Sequence, residues 1–102
     1  MKIYKFEQTT NAFNYVFEKE LKAKDEIVVK LPSVSANKRG INDIGWVSNG
    51  DVTLYGTLEK HPEKAVLWQE IREHDEVNKT TSFLKIKNNG ADCKVVIRAI
   101  FC

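Results

Sequence analysis

The stretch IKNNGADCKVVIRAIFC (residues 86–102) decides the fold class. It starts with a strand-like run, passes through Asn89-Gly90 and continues into the most apolar part of the chain. Asn-Gly between two β-type runs is a strong hairpin signal, because both central residues of a type I′ turn need a positive φ. The stretch therefore predicts two strands joined by a tight turn.

The closing strand, predicted at residues 93–101, is apolar on both of its faces. One face carries Val95, Ile97, Ala99 and Phe101. The other face carries Val96, Arg98 and Ile100. Apolar side chains on both faces are typical of a strand that is covered on both sides. We predict that the chain closes on an interior strand, with Arg98 either paired or extended to the surface.

A second Asn-Gly pair predicts a second hairpin further upstream. Asn49-Gly50 separates IGWVS (44–48) from DVTLYGTL (51–58). In the latter run Val52, Leu54, Gly56 and Leu58 alternate with polar residues and Tyr55, which predicts one core face and one outward face. Further strands are expected at 2–6, 26–31 and 82–88. Residues 12–18 favour a strand because they are rich in aromatic residues, with a helix as the alternative.

Residues 61–74, HPEKAVLWQEIREH, fit two structures. Pro62 stands at a suitable first position for a short helix at 62–73, and good helix formers follow it. The all-β surroundings favour a strand instead. The fold class that we predict is all-β: a single domain (residues 1–102) built as an antiparallel β-sandwich of about seven or eight strands, jelly-roll-like or immunoglobulin-like.

Composition excludes several classes of protein. The net charge of +2 arises from 16 basic and 14 acidic residues, without the concentrated basic face of a nucleic-acid-binding protein. No run has the roughly 18 apolar residues that a membrane span requires. The first residues lack the pattern of a secretory signal, so we expect synthesis in a cytoplasm. Cys93 and Cys102 would point to opposite faces of one strand and are expected to be free thiols.

The sequence contains no recognisable catalytic or metal-binding motif. There is no CxxC pair, HExxH helix, glycine-rich phosphate loop or GxSxG turn. His61 and His74 have no partners at ligand spacing. We therefore expect no enzyme activity, no cofactor and no metal.

Trp46, Tyr55 and Trp68 are the most informative side chains, because strand parity places them on outward faces. Exposed rings on a β-sandwich anchor protein interfaces or stack on sugar rings, and rings of this kind also pack within a domain. The polar loop 33–43, which carries Lys38 and Arg39, is the expected contact loop.

Residues 44–102 contain four distinctive runs: WVSNGDVTLYGTL, LWQEI, DEVNKTTSFLKIKNNG and the closing CKVVIRAIF. In these runs the chain resembles small virion-associated structural proteins of tailed bacteriophages. It implies an all-β sandwich that acts by assembly in the head, neck or tail of a particle, and it favours a strand at 65–71. It brings no catalytic residues.

The hypothesis that follows is a non-enzymatic virion structural protein, made in the bacterial host cytoplasm. It would form homo-oligomers and bind other virion proteins, with no nucleic acid or membrane as partner. The candidate interface residues are Trp46, Tyr55, Trp68, Lys38, Arg39 and Arg98. The alternative is a carbohydrate- or receptor-binding module that uses the three rings as a platform for a glycan.

Overall fold

The computed structural model describes residues 1–33 and 41–101. Within these ranges the chain forms ten strands and no helix. The strands are β1 (Ile3–Lys5), β2 (Glu7–Gln8), β3 (Asn14–Leu21), β4 (Glu26–Lys30), β5 (Ile41–Ser48), β6 (Val52–Thr57), β7 (Gln69–Ile71), β8 (His74–Asn78), β9 (Phe83–Asn88) and β10 (Cys93–Ile100).

The described strands form two sheets of five. The first sheet has the order β1-β4-β9-β6-β7, and the second has the order β2-β3-β10-β5-β8. β1 pairs with β4 in parallel, and the other pairs are antiparallel. From β3 onwards the chain changes sheet at each connection except β6–β7. The strand orders β3-β10-β5-β8 and β4-β9-β6-β7 are those of a jelly roll. The predicted all-β sandwich is confirmed, in its jelly-roll form.

The core lies between the two sheets and is built by alternate residues of each strand. Six of its large aliphatic side chains are fully buried, with 0% exposure: Val29, Leu54, Leu84, Ile86, Val95 and Ile97. Burial of each such side chain contributes about 1.5–3 kcal/mol to folding. The alternation predicted for 82–88 and for the inner face of the closing strand is confirmed. Leu58 is the exception in the run 51–58, because β6 ends at Thr57 and leaves Leu58 exposed.

β10 is the middle strand of the second sheet, since it pairs with β3 on one side and with β5 on the other. The prediction of an interior closing strand is confirmed, because both edges of β10 are paired with another strand. The prediction that both faces are covered is wrong: Arg98 is exposed and Ile100 is 36% exposed. Each antiparallel sheet of the sandwich buries only one face, and no described segment lies across the other side of β10.

The two predicted Asn-Gly hairpins are also wrong. Asn49-Gly50 and Asn89-Gly90 each connect strands in different sheets, and neither asparagine has the positive φ that a type I′ turn requires. Their polar groups join the two connections to each other instead. Asn49 Oδ1 accepts a hydrogen bond from the Lys94 N–H at 2.8 Å, and the Asn89 N–H donates to the Asp51 carbonyl at 2.8 Å.

Gly50 is required by a close approach at this end of the sandwich. A Cβ atom at Gly50 would lie 2.5 Å from Cys93 Cβ and 2.9 Å from its Sγ. We expect Gly50→Ala to lower the free energy of unfolding by about 1–3 kcal/mol, measured by urea denaturation. Gly90→Ala is the matched control, because its Cβ would lie 3.6 Å from Asp51 Cβ, an ordinary contact. Equal losses in both variants would contradict this geometry.

Residues 58–68 form a loop rather than the helix predicted at 62–73 or a strand over 65–71. A strand is present only at Gln69–Ile71, where the chain pairs with β6. The Glu59 carboxylate accepts hydrogen bonds from the N–H groups of Val66 and Leu67, both at 2.8 Å. In a helix these N–H groups would bond to carbonyls four residues earlier. The contact with the Glu59 side chain, near the start of the loop, therefore holds Val66 and Leu67 out of a helical conformation.

Candidate functional site

Trp46 does not lie on an outward face, which corrects its predicted position. It shares the inner face of β5 with Ile44 and packs against the core. Its Nε1–H donates to the carbonyls of Ile71 and Arg72 at 3.2 and 3.0 Å. A buried indole usually needs such an acceptor. Trp46 therefore joins β5 to the β7–β8 connection and is removed from the candidate surface.

Tyr55 and Trp68 are half-buried on the outer side of the first sheet, where they flank Lys85. The Lys85 Nζ lies 4.3 Å from the Trp68 ring centroid and 5.7 Å from the Tyr55 ring centroid. The ammonium group occupies ring surface on which a sugar would have to stack. The three-ring platform expected for a glycan is therefore not formed, because one ring is in the core and the other two hold a lysine.

Lys38 and Arg39 lie outside the described residues. The end of the predicted loop 33–43 is a strand instead, since β5 begins at Ile41. The remaining predicted interface residue, Arg98, is exposed on the second sheet. The candidate residues with described positions thus fall on three different surfaces.

The outer face of the first sheet is partly covered by the loop 58–68. Val28 points outward by register, opposite Lys85, yet it is only 6% exposed. Pro62 is buried, and it lines a cleft on this face together with Val28 and Trp68. This sheet therefore has its own cover, supplied by the same chain.

The outer face of the second sheet has no such cover among the described residues. Four β-branched apolar side chains point outward from its three central strands, and we call them the outer patch: Val16, Val47, Val96 and Ile100. Val47 is 64% exposed, Ile100 is 36% exposed, and the other two are half-buried. Apolar side chains grouped on an exposed face are typical of an interaction site.

Charged side chains surround the outer patch. Lys94 Nζ lies 2.7 Å from Glu18 Oε1, and both side chains are about half exposed. The hydrogen bond and the charge of Glu18 raise the pKa of Lys94 above its ordinary value. Glu20 pairs in register with Lys94, and Arg98 pairs with Val16. Of these four residues the acidic ones lie on β3 and the basic ones on β10, and a further carboxylate, that of Asp43, faces outward from β5 beside Ile100.

The free sheet edges are a poorer contact surface than this face. The edge strands β1 and β7 have 3 residues each, and β2 has 2. Short edge strands are a common way in which proteins prevent edge-to-edge pairing. The edge strand β8 has 5 residues and includes Asp75 and Glu76.

Within residues 1–33 and 41–101 no group of three or more His, Cys, Asp and Glu side chains is placed to hold a metal ion. Cys93 is a free, buried thiol. The described part of the chain has no helix that could span a membrane. No protein-family model, no curated protein and no solved structure matches this chain.

Most of this surface could not be found from the sequence. Val16 and Val47 are far apart along the chain, and only the sheet order brings them beside β10. The sequence did show that the closing strand has a second apolar face, which carries Val96 and Ile100. That face predicted a covering layer, and the described residues do not supply one.

Proposed function

We propose that this chain is a non-enzymatic structural protein of a tailed-bacteriophage particle that works by binding other proteins of the particle and copies of itself. The observation that carries the proposal is the outer patch: an apolar face on the central strands of a rigid sandwich, left without a cover by the described residues. A structural subunit needs a stable scaffold and a contact face rather than a pocket.

Two further lines support the proposal. The jelly roll is the architecture of many viral capsid domains, and lectin domains share it. The runs DVTLYGTL and CKVVIRAIF, on which the resemblance to virion-associated proteins rests, contain β6 and β10, which are interior strands of the two sheets. The resemblance therefore concerns the strands that build the scaffold.

Incorporation into particles is the test of this function. Particles released from a host culture that carries the complete phage genome would be purified on a density gradient and probed with an antibody against this chain. We expect the chain to sediment with the particles and to resist a high-salt wash. Recovery of the chain only from the host cytosol would contradict the proposal. A cytosolic host protein of similar size, probed in parallel, controls for carry-over.

A further inference from the structure

The charges around the outer patch are arranged in two columns. Glu18 and Glu20 are successive outward-facing residues of β3. Lys94 and Arg98 face outward from the neighbouring strand β10, on either side of Val96. Adjacent strands are about 4.8 Å apart, so a column of negative charge runs beside a column of positive charge. Val96 separates Lys94 from Arg98 in the basic column, and Val16 lies next to Glu18 at the end of the acidic column, opposite Arg98.

Two such columns are complementary to themselves. A two-fold axis that runs parallel to the strands, between β3 and β10, places β3 of a second copy over β10 of the first. Glu20 of the second copy then lies opposite Lys94, and Glu18 of the second copy lies between Lys94 and Arg98. The symmetry repeats each of these contacts, so four acidic and four basic groups alternate across the interface.

Two apolar residues lie close to the same axis. In this arrangement Val96 of one copy lies opposite Glu18 of the other copy, and Val16 lies one outward position further along β3, opposite Arg98. Val47, which pairs with Val96, extends the apolar surface onto β5. Sheets that pack face to face in this way lie about 10 Å apart, which long charged side chains can span.

The size of the face suits a dimer of modest stability. β3, β10 and β5 have 8 residues each and are therefore about 26 Å long. About this axis the two copies overlap over the four strand positions from β2 to β5, which span about 14 Å, so the flat footprint is roughly 370 Å². The buried surface is larger than this footprint, because side chains interdigitate. Stable interfaces bury about 800 Å² per partner. A dimer that dissociates on dilution is the expected result.

We infer that the outer face of the second sheet is the interface of a two-fold symmetric dimer, in which the acidic column on β3 of each copy binds the basic column on β10 of the other. The inference rests on the proposed function and specifies its first partner as a second copy of this chain. It also assigns the exposed Arg98, which makes no ion pair with the other described residues, to a contact between copies.

Charge reversal provides the test. One variant carries Glu18→Lys and Glu20→Lys, and the other carries Lys94→Glu and Arg98→Glu. We expect the wild-type chain to dimerise in sedimentation velocity and each variant to dissociate at least about tenfold more readily, because like charges then face each other. An equimolar mixture of the two variants should form a heterodimer, since one face is then wholly basic and the other wholly acidic.

The matched control is Lys87→Glu on the outer face of the first sheet, where Lys87 pairs in register with Glu26. It should leave association unchanged, and circular dichroism should show that all the variants remain folded. A monomeric wild-type chain, or variants that dimerise like the wild type, would overturn the inference. Neither result would affect incorporation into particles, which tests the proposed function separately.

Discussion

Deleting residues 94–102 should abolish cooperative unfolding. The deletion removes β10 after its first residue, so β3 and β5 both lose the strand that they pair with in the middle of the second sheet. It also removes Val95, Ile97 and Phe101 from the core. Their burial contributes about 1.5–3 kcal/mol each, against a total stability of about 5–15 kcal/mol for a typical domain.

The measurement is a thermal melt followed by far-ultraviolet circular dichroism. The full-length chain should show a β-type spectrum with one transition, and the truncated chain should show a disordered spectrum without one. The control is a chain that lacks only Cys102, which leaves β10 complete and should melt as the full-length chain does. A truncated chain with an unchanged melt would mean that the closing segment is not part of the fold.

Ile97→Ala should lower the free energy of unfolding by about 2–5 kcal/mol, the range for a large core side chain cut back to alanine. Ile97 has 0% exposure and faces the core from the middle of the central strand, where the surroundings cannot collapse into the cavity. Chemical denaturation of the purified variant gives the value directly from the shift in midpoint.

Ile100→Ala is the matched control for this substitution. Ile100 lies on the same strand with the same side chain, but it faces outward and is 36% exposed. We expect a smaller loss than for Ile97→Ala, because the Ile100 side chain is already partly exposed and its truncation leaves no enclosed cavity. If the two substitutions cost the same, the two faces of β10 do not differ as described, and the whole assignment of inner and outer faces fails.

The parts of the fold that could be predicted are those that depend on alternation. Burial on one side of a sheet forces a period of two, so Leu84 and Ile86 were predicted to lie together in the core and do so. The two Asn-Gly pairs were interpreted wrongly for a physical reason. A turn signal reports a change of direction, and it does not report whether the next strand joins the same sheet or the opposite one.

Other features depend on contacts that propensity and alternation do not report. The loop 58–68 has good helix formers, but Glu59 binds the N–H groups of Val66 and Leu67 and holds the segment open. β8 was not predicted because its run HDEVN has few apolar residues, and it becomes a strand by pairing with β5. Trp46 was assigned to the outer face, but it lies on the same face of β5 as the buried Ile44 and packs against the core.

The candidate site could likewise be predicted only in part. The second apolar face of β10 was visible in the sequence as Val96 and Ile100, and the structure leaves that face open to a partner. The sequence did not identify Val16 and Val47 as neighbours of that face, since only the sheet order does so. The aromatic residues were predicted as contact residues because of their type, yet Trp46 serves the core and Trp68 holds Lys85.

The most direct test of this working surface is a methyl-detected NMR titration in which the concentration of the wild-type chain is raised and each methyl resonance is followed. We expect the methyl groups of Val16, Val47 and Val96 to shift or broaden as the chain associates. Those of Val66 and Leu67, which are 81% and 76% exposed on the loop over the first sheet, should not change. Changes confined to Val66 and Leu67, or no changes at any concentration, would contradict the claim that the outer face of the second sheet is the working surface of this protein.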